Sequence, residues 1–136
     1  MDTLIKNRNL ADAINALGEL ETQRKDGKVI REVKLRPEVA GRVRYNIART
    51  MHGLRKQWEA FNEIRQALEL EAAAITDAEE KKRFYAERIK PALDAEETVD
   101  VRRVKLSDLD LSVNELPGWA VGVLLDWFIE DDQPAA

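Results

Sequence analysis

The residues of this chain whose types and spacing suit chemistry form one series. Arg42, Tyr45, Arg49, His52 and Lys56 follow gaps of 3, 4, 3 and 4, and on a helix such gaps gather side chains into one stripe. At about 100° per residue, that stripe points nearly opposite an apolar one made of Val43, Ile47, Met51, Leu54, Trp58, Phe61 and Leu68. The result is a cationic ridge carrying one aromatic side chain. Arginine forks fit carboxylates or phosphates, and tyrosine adds a stacking surface with a hydrogen-bonding tip. The plain reading is a solvated helix face, which is what charged runs usually are. The specific reading is recognition of an anion: an acidic protein surface, the acidic half of a sister subunit, or a phosphorylated small molecule. Nucleic acid fits less well, because the flanking charge is acidic and no groove-reading motif or aromatic-interleaved basic patch accompanies the ridge.

Other chemistry is weighed against the residues present. His52 is the single histidine and there is no cysteine, so cysteine–histidine catalysis and cysteine-based metal sites are excluded. A serine triad would hang on Ser107 or Ser112, and neither lies in a nucleophile-elbow sequence. Asp77-x-x-Glu80 and Glu97-x-x-Asp100 resemble the paired acidic motifs of all-helical nucleotide pyrophosphohydrolases, which hold Mg²⁺ between helices. That chemistry needs both pairs on facing helices. Here the second pair reads as the approach to a strand, and the first as a helix start. Glu59 and Glu63 share a helix face without a histidine in register. The glycines are scattered, and no phosphate loop, zinc motif or EF-hand loop appears. No catalytic residue, metal ligand or cofactor is therefore assigned.

The elements that would position the ridge follow from periodicity. Asn9 reads as the N-cap of a helix carrying Leu10, Ala13, Ile14, Leu17 and Leu20 and ending near Gln23. Asp26-Gly27 reads as a turn. The alternation Val29, Val33, Leu35 predicts a half-buried strand over 28–35. Pro37 suits the first turn of the dominant helix, which runs to about Ala74. Such a helix is roughly 55 Å long at about 1.5 Å per residue, so it either bends, with Gly53 as the candidate, or projects toward a partner. Thr76 with Glu79 forms a capping box for a helix burying Phe84, Tyr85, Ile89 and Leu93, with Pro91 as a kink or an early end. A second strand is expected from Thr98 toward Leu106, paired with the first. Ser112 with Glu115 caps a buried helix from Leu116 to Ile129, followed by the acidic Glu130-Asp131-Asp132. Core packing is the expected role of Trp58, Trp119 and Trp127.

At 136 residues the chain fits one domain, residues 1–136, large enough for a real core. Its 44% hydrophobic residues suit a globular protein, and its 35% charged residues exceed the usual share of about 25%. Residues 1–65 hold fourteen Lys/Arg against nine Asp/Glu, and residues 66–136 hold eight against seventeen. Opposite halves attract within a subunit or head to tail between subunits. The N-terminus lacks a secretory layout and no apolar run suffices for a membrane span, so a cytoplasmic setting is expected. The fold class expected is mainly α (α+β): a long central helix packed by shorter helices, with a small two-stranded β-sheet.

Asn9-Leu10 with Leu17 and Leu20, then Arg42-Val43-Arg44-Tyr45-Asn46-Ile47-Ala48-Arg49, form the first part of a longer pattern. Trp58-Glu59-Ala60-Phe61 with Ile64-Arg65 and Leu68 continues it, and Val104-Lys105-Leu106 with Leu109 before a short apolar helix closes it. This order of parts resembles the small uncharacterised helical accessory proteins of tailed bacteriophages. The resemblance covers most of the chain and implies a viral origin, an accessory or assembly role and the host cytoplasm. It brings no catalytic residues. The expectation is a non-enzymatic accessory protein acting by protein–protein binding or self-assembly, as a homo-oligomer. One alternative is a counter-defence protein that sequesters a host nucleotide signal, with Arg42, Arg49 and Lys56 on phosphates and Tyr45 on a base. The other is the Mg²⁺-dependent pyrophosphohydrolase.

Overall fold

The apolar side chains between Val43 and Leu68 do share one helix. In a computed structural model, which describes residues 2–25, 28–109 and 116–132, with the backbone alone over 22–25 and 28–32, that helix runs unbroken over Ala40–Ala73. In chain order the elements are β1 (Asp2–Lys6), a 3-10 turn (Asn7–Asn9), α1 (Leu10–Gly18), β2 (Thr22–Lys25) and β3 (Lys28–Glu32). Next come α2 (Ala40–Ala73), α3 (Ala78–Phe84), a π turn (Tyr85–Ile89), α4 (Lys90–Asp94) and β4 (Glu96–Asp100). Then follow β5 (Val104–Lys105), a second 3-10 turn (Leu106–Asp108), α5 (Gly118–Trp127) and β6 (Ile129–Glu130). The expected turn at Asp26-Gly27 and the capping box of Ser112 and Glu115 lie outside the described residues. No helix among the described residues is long and apolar enough to cross a membrane.

α2 has 34 residues, about 51 Å at 1.5 Å per residue. It buries Val43, Ile47, Thr50, Met51, Leu54, Phe61 and Leu68, a stripe at helical spacing. Gly53 lies inside this unbroken helical span. A Cβ there would lie 3.1 Å from Val99 Cγ1 of β4, so the glycine is there for close approach, at about 1 kcal/mol of helix propensity. Pro37 stands outside the helix rather than in its first turn. The Val39 N–H donates to the Arg36 carbonyl at 3.1 Å, so the chain closes a turn before α2 begins.

α1 packs on both α2 and α5, burying Leu10, Ala13, Ala16 and Leu17. It ends at Gly18 rather than near Gln23, and residues 22–25 instead form β2. Asn9 precedes α1, but its side chain makes no capping bond, because the 3-10 turn enters the helix directly and leaves Asn9 in helical backbone. At α3 the cap is Asp77, not Thr76. Asp77 is extended and its carboxylate accepts from the Glu79 N–H at 3.1 Å.

The two strands expected to pair do not. β3 pairs with β2, and β4 pairs antiparallel with β1. The expected second strand is also split, into β4 and a two-residue β5 that runs parallel to β6. Leu35 forms an isolated bridge with Leu109 instead of extending β3. Helix content still dominates, with each sheet among the described residues only two strands wide.

α3, the π turn and α4 contain no fully buried residue. Phe84, Ile89 and Leu93 are half-buried and Tyr85 is exposed, so the apolar face expected there is only partly covered. Pro91 does not end the helical run, which continues to Asp94. The Lys90 N–H donates to the carbonyl of Tyr85, five residues back, and this wider turn gives the proline ring room where an α-turn would crowd it.

One polar side chain ties the outer helices to the body. Asn7 is buried; its Nδ2 donates to the Ala92 carbonyl at 2.9 Å, and its Oδ1 accepts from Gln57 Nε2 at 3.4 Å. Replacing it with leucine orphans both partners. Asn7→Leu is expected to lower stability by about 1–3 kcal/mol, read as a fall in the urea midpoint with an unchanged slope. A variant as stable as the parent would show that the bridge contributes nothing.

Candidate functional site

α2 presents the cationic ridge to solvent along its N-terminal half. Arg42, Tyr45, Arg49, His52 and Lys56 are all exposed, Tyr45 by 57%. Buried positions on the same helix point the other way, as the 3.6-residue repeat requires. Arg49, His52 and Lys56 form no hydrogen bond or ion pair with the described residues. Arg42 differs. Its Nη2 donates to Asp108 Oδ2 at 2.9 Å, and Asp108 is nearly buried. Arg42 therefore serves the fold at one end of the ridge, fixing the 3-10 turn that holds Asp108.

The structure adds two arginines that the series on α2 does not include. Thr50, fully buried, accepts from the Arg102 N–H at 2.9 Å. Asn46 Nδ2 donates to the Arg103 carbonyl at 3.3 Å. These bonds lay the β4–β5 connection along α2, and they bring exposed Arg103 beside Arg42 at the N-terminal end of the ridge. Arg102 Nε also donates to Asp100 Oδ2 at 3.2 Å, and Arg103 Nη2 to the Ile129 carbonyl at 3.1 Å. The sequence signal was the run Arg102-Arg103-x-Lys105, which only the fold brings to α2. A cleft of about 220 Å³ opens at this end, where Arg42, Arg103 and Lys105 face Asp108 and Glu130.

A second, apolar groove of about 290 Å³ lies farther along α2, lined by Phe61, Leu68, Tyr85, Ile89 and Leu93. The Arg65–Glu69 ion pair, 2.9 Å long, marks its border. Trp58 packs beside this end of the core, its ring 5.9 Å from that of Phe61 and the Arg65 guanidinium 5.8 Å above it. Trp127 is half-buried against Phe128. Trp119 departs from the expected core role. It is 51% exposed, because it sits in the first turn of α5 while Ala120 and Leu124 carry the buried face.

The acidic pairs occupy unlike elements. Asp77 caps α3 and Glu80 is exposed in its first turn, whereas Glu97 and Asp100 lie on strand β4. The facing-helix arrangement of a Mg²⁺ site is not formed by them, and among the described residues no three acidic or histidine side chains converge on one point. Glu59 and Glu63 are exposed on α2.

Ser107 turns its hydroxyl to the carboxylate of Asp132, whose other oxygen accepts from the Ser107 N–H at 2.9 Å. Ser112 lies outside the described residues. The Ser107 hydroxyl bond, then its N–H bond, holds the Asp132 carboxyl below its ordinary pKa, against the opposing effect of partial desolvation. A depressed carboxylate stabilises the fold above its unfolded pKa and loses that contribution as pH falls through the folded one. Ser107→Ala is expected to raise the Asp132 pKa toward the ordinary value, read by carbon-detected NMR titration. An unmoved titration would show that the hydroxyl is not the cause.

No protein-family model, curated protein or solved structure matches this chain.

Proposed function

We propose that this chain is a non-enzymatic phage accessory protein that works in the host cytoplasm by binding an acidic protein surface, the acidic half of a second copy included. The observation that carries this reading is the state of the ridge. Tyr45, Arg49, His52 and Lys56 stand in solvent on one long helix, without partners among the described residues. Side chains held along the outside of a helix suit an extended acidic surface better than a small enclosed ligand. Tyrosine and arginine are also the residue types that dominate binding energy at protein interfaces. The chain supplies a complementary surface of its own, since residues 66–136 hold seventeen Asp/Glu against eight Lys/Arg.

Sedimentation velocity at low and high salt tests the self-association arm. Concentration-dependent association is expected, weakening with salt because exposed charges are screened over about 10 Å at 0.1 M. The double variant Arg49→Glu, Lys56→Glu is expected to weaken it about tenfold or more with unchanged circular dichroism. If the protein is a strict monomer, the same variant pair is compared for binding to an acidic-peptide array. Equal behaviour of parent and variant in both measurements would remove the ridge as the recognition surface.

A further inference from the structure

β1 is an edge strand with a shelf beside it. Its register with β4 runs from Asp2 opposite Asp100 to Lys6 opposite Glu96, and one step further the Asn7 N–H donates to the Ala95 carbonyl at 3.0 Å. Hydrogen-bonded and non-hydrogen-bonded pairs alternate along an antiparallel ladder. Counting back from Asn7, Ile5 and Thr3 exchange hydrogen bonds with β4, and the peptide groups of Lys6, Leu4 and Asp2 face away from it. Among the described residues no strand pairs with that outer edge. Its N–H and C=O groups form a template for a further strand. The edge is also apolar where it is most open, with Leu4 63% exposed.

A groove of about 450 Å³ runs beside four consecutive residues of β1 and is closed on its far side by α1 and α5. Ala13, Val123 and Trp127 give it an apolar floor. Asp12, Glu96 and Asp126 contribute carboxylates, against Lys6 as the one cation of its lining. The groove is thus long, strand-edged and acidic.

We propose that β1 takes up an extended segment of a partner protein as a third strand, one in which Lys or Arg alternates with small apolar residues. A strand presents alternate side chains to opposite faces. One set would rest on Ala13, Val123 and Trp127, while long basic side chains reach the carboxylates of Asp12, Glu96 and Asp126. Backbone bonds to Leu4 and Lys6 supply affinity, and the carboxylates supply selectivity. A second copy of β1 fits less well. It carries its own α1 and α5 layer into the space that the shelf already fills, and it brings a second acidic groove against the first. This surface is separate from the ridge on α2 and opposite to it in charge.

The test is fluorescence anisotropy with two labelled octapeptides, alternating Lys-Val and alternating Glu-Val, together with amide NMR shifts on the labelled protein. The Lys-Val peptide is expected to bind and to shift residues 3–6 and 123–127, with the Glu-Val peptide at least about tenfold weaker. Leu4→Pro removes an outward N–H that β4 does not use, as edge strands tolerate, and is expected to weaken binding about tenfold. Asp126→Lys, on the exposed face of α5, is expected to do the same and guards against misfolding of the proline variant. Absence of binding at millimolar peptide overturns the proposal. So does equal binding of the Glu-Val peptide, shifts confined to α2, or full binding by Asp126→Lys. A concentration-dependent dimer that Leu4→Pro abolishes would assign the edge to a second copy, and that too overturns it.

Discussion

Covering the proximal stripe of α2 is the demand that the rest of the fold answers. Between Val43 and Phe61 the helix offers a continuous apolar flank, and burial of such surface is the main favourable term in folding. α1 covers one side of that flank, and α5 closes over α1. β4 covers the other side so closely that position 53 has room only for glycine without displacing Val99. Thr50 sits fully buried at this contact because its hydroxyl accepts from the Arg102 N–H; without that bond the group would be costly to bury. With two flanks occupied, the remaining face is the one that carries Tyr45, Arg49, His52 and Lys56. The ridge is outward because the apolar stripe from Val43 to Phe61 is buried on the opposite side of α2.

The charge imbalance between the two halves of the sequence is resolved partly within the chain. Arg42 from the basic half meets Asp108 from the acidic half, and Arg8 meets Asp94. Arg88 reaches Glu71 at 3.5 Å within the acidic half. Exposed pairs of this kind contribute little stability, so their effect is on register rather than on energy. The Arg42–Asp108 contact is the exception in burial, since one partner is nearly enclosed. Among the described residues, cations line the N-terminal half of α2 and carboxylates line the β1 groove.

Long-range periodicity made α2, its buried stripe and the opposite ridge legible in the sequence, because 34 residues repeat the same pattern many times over. The class of the fold was legible for the same reason. β1 was not. Its five residues bring only Ile5 fully into the core, and two or three alternations do not distinguish a strand from a loop. Missing β1 led directly to the wrong partner for β4, since strand pairing is a question of which edges are present. The caps failed at a finer grain. Thr76 and Asp77 are both competent, and backbone geometry chose the one whose carboxylate reaches the N–H of Glu79. Arg102 and Arg103 were visible as a run but not as neighbours of α2, because nothing local encodes the bonds to Asn46 and Thr50. Trp119 was misread because a hydrophobic segment of ten residues does not say which of its faces is inward.

The bond from Asn7 to the Ala92 carbonyl has a consequence for how the molecule comes apart. α3, the π turn and α4 bury no residue completely, so little apolar surface resists their detachment. Their hold on the body runs through the latch at Asn7, the Arg8–Asp94 and Arg88–Glu71 contacts, and the packing of Ala92 and Leu93 against the core. Segments of this sort open as a cooperative unit well below the free energy of global unfolding. Residues 78–94 form one continuous helical arm, whose amide protons are expected to exchange on a faster clock than those of the half of α2 it leans against.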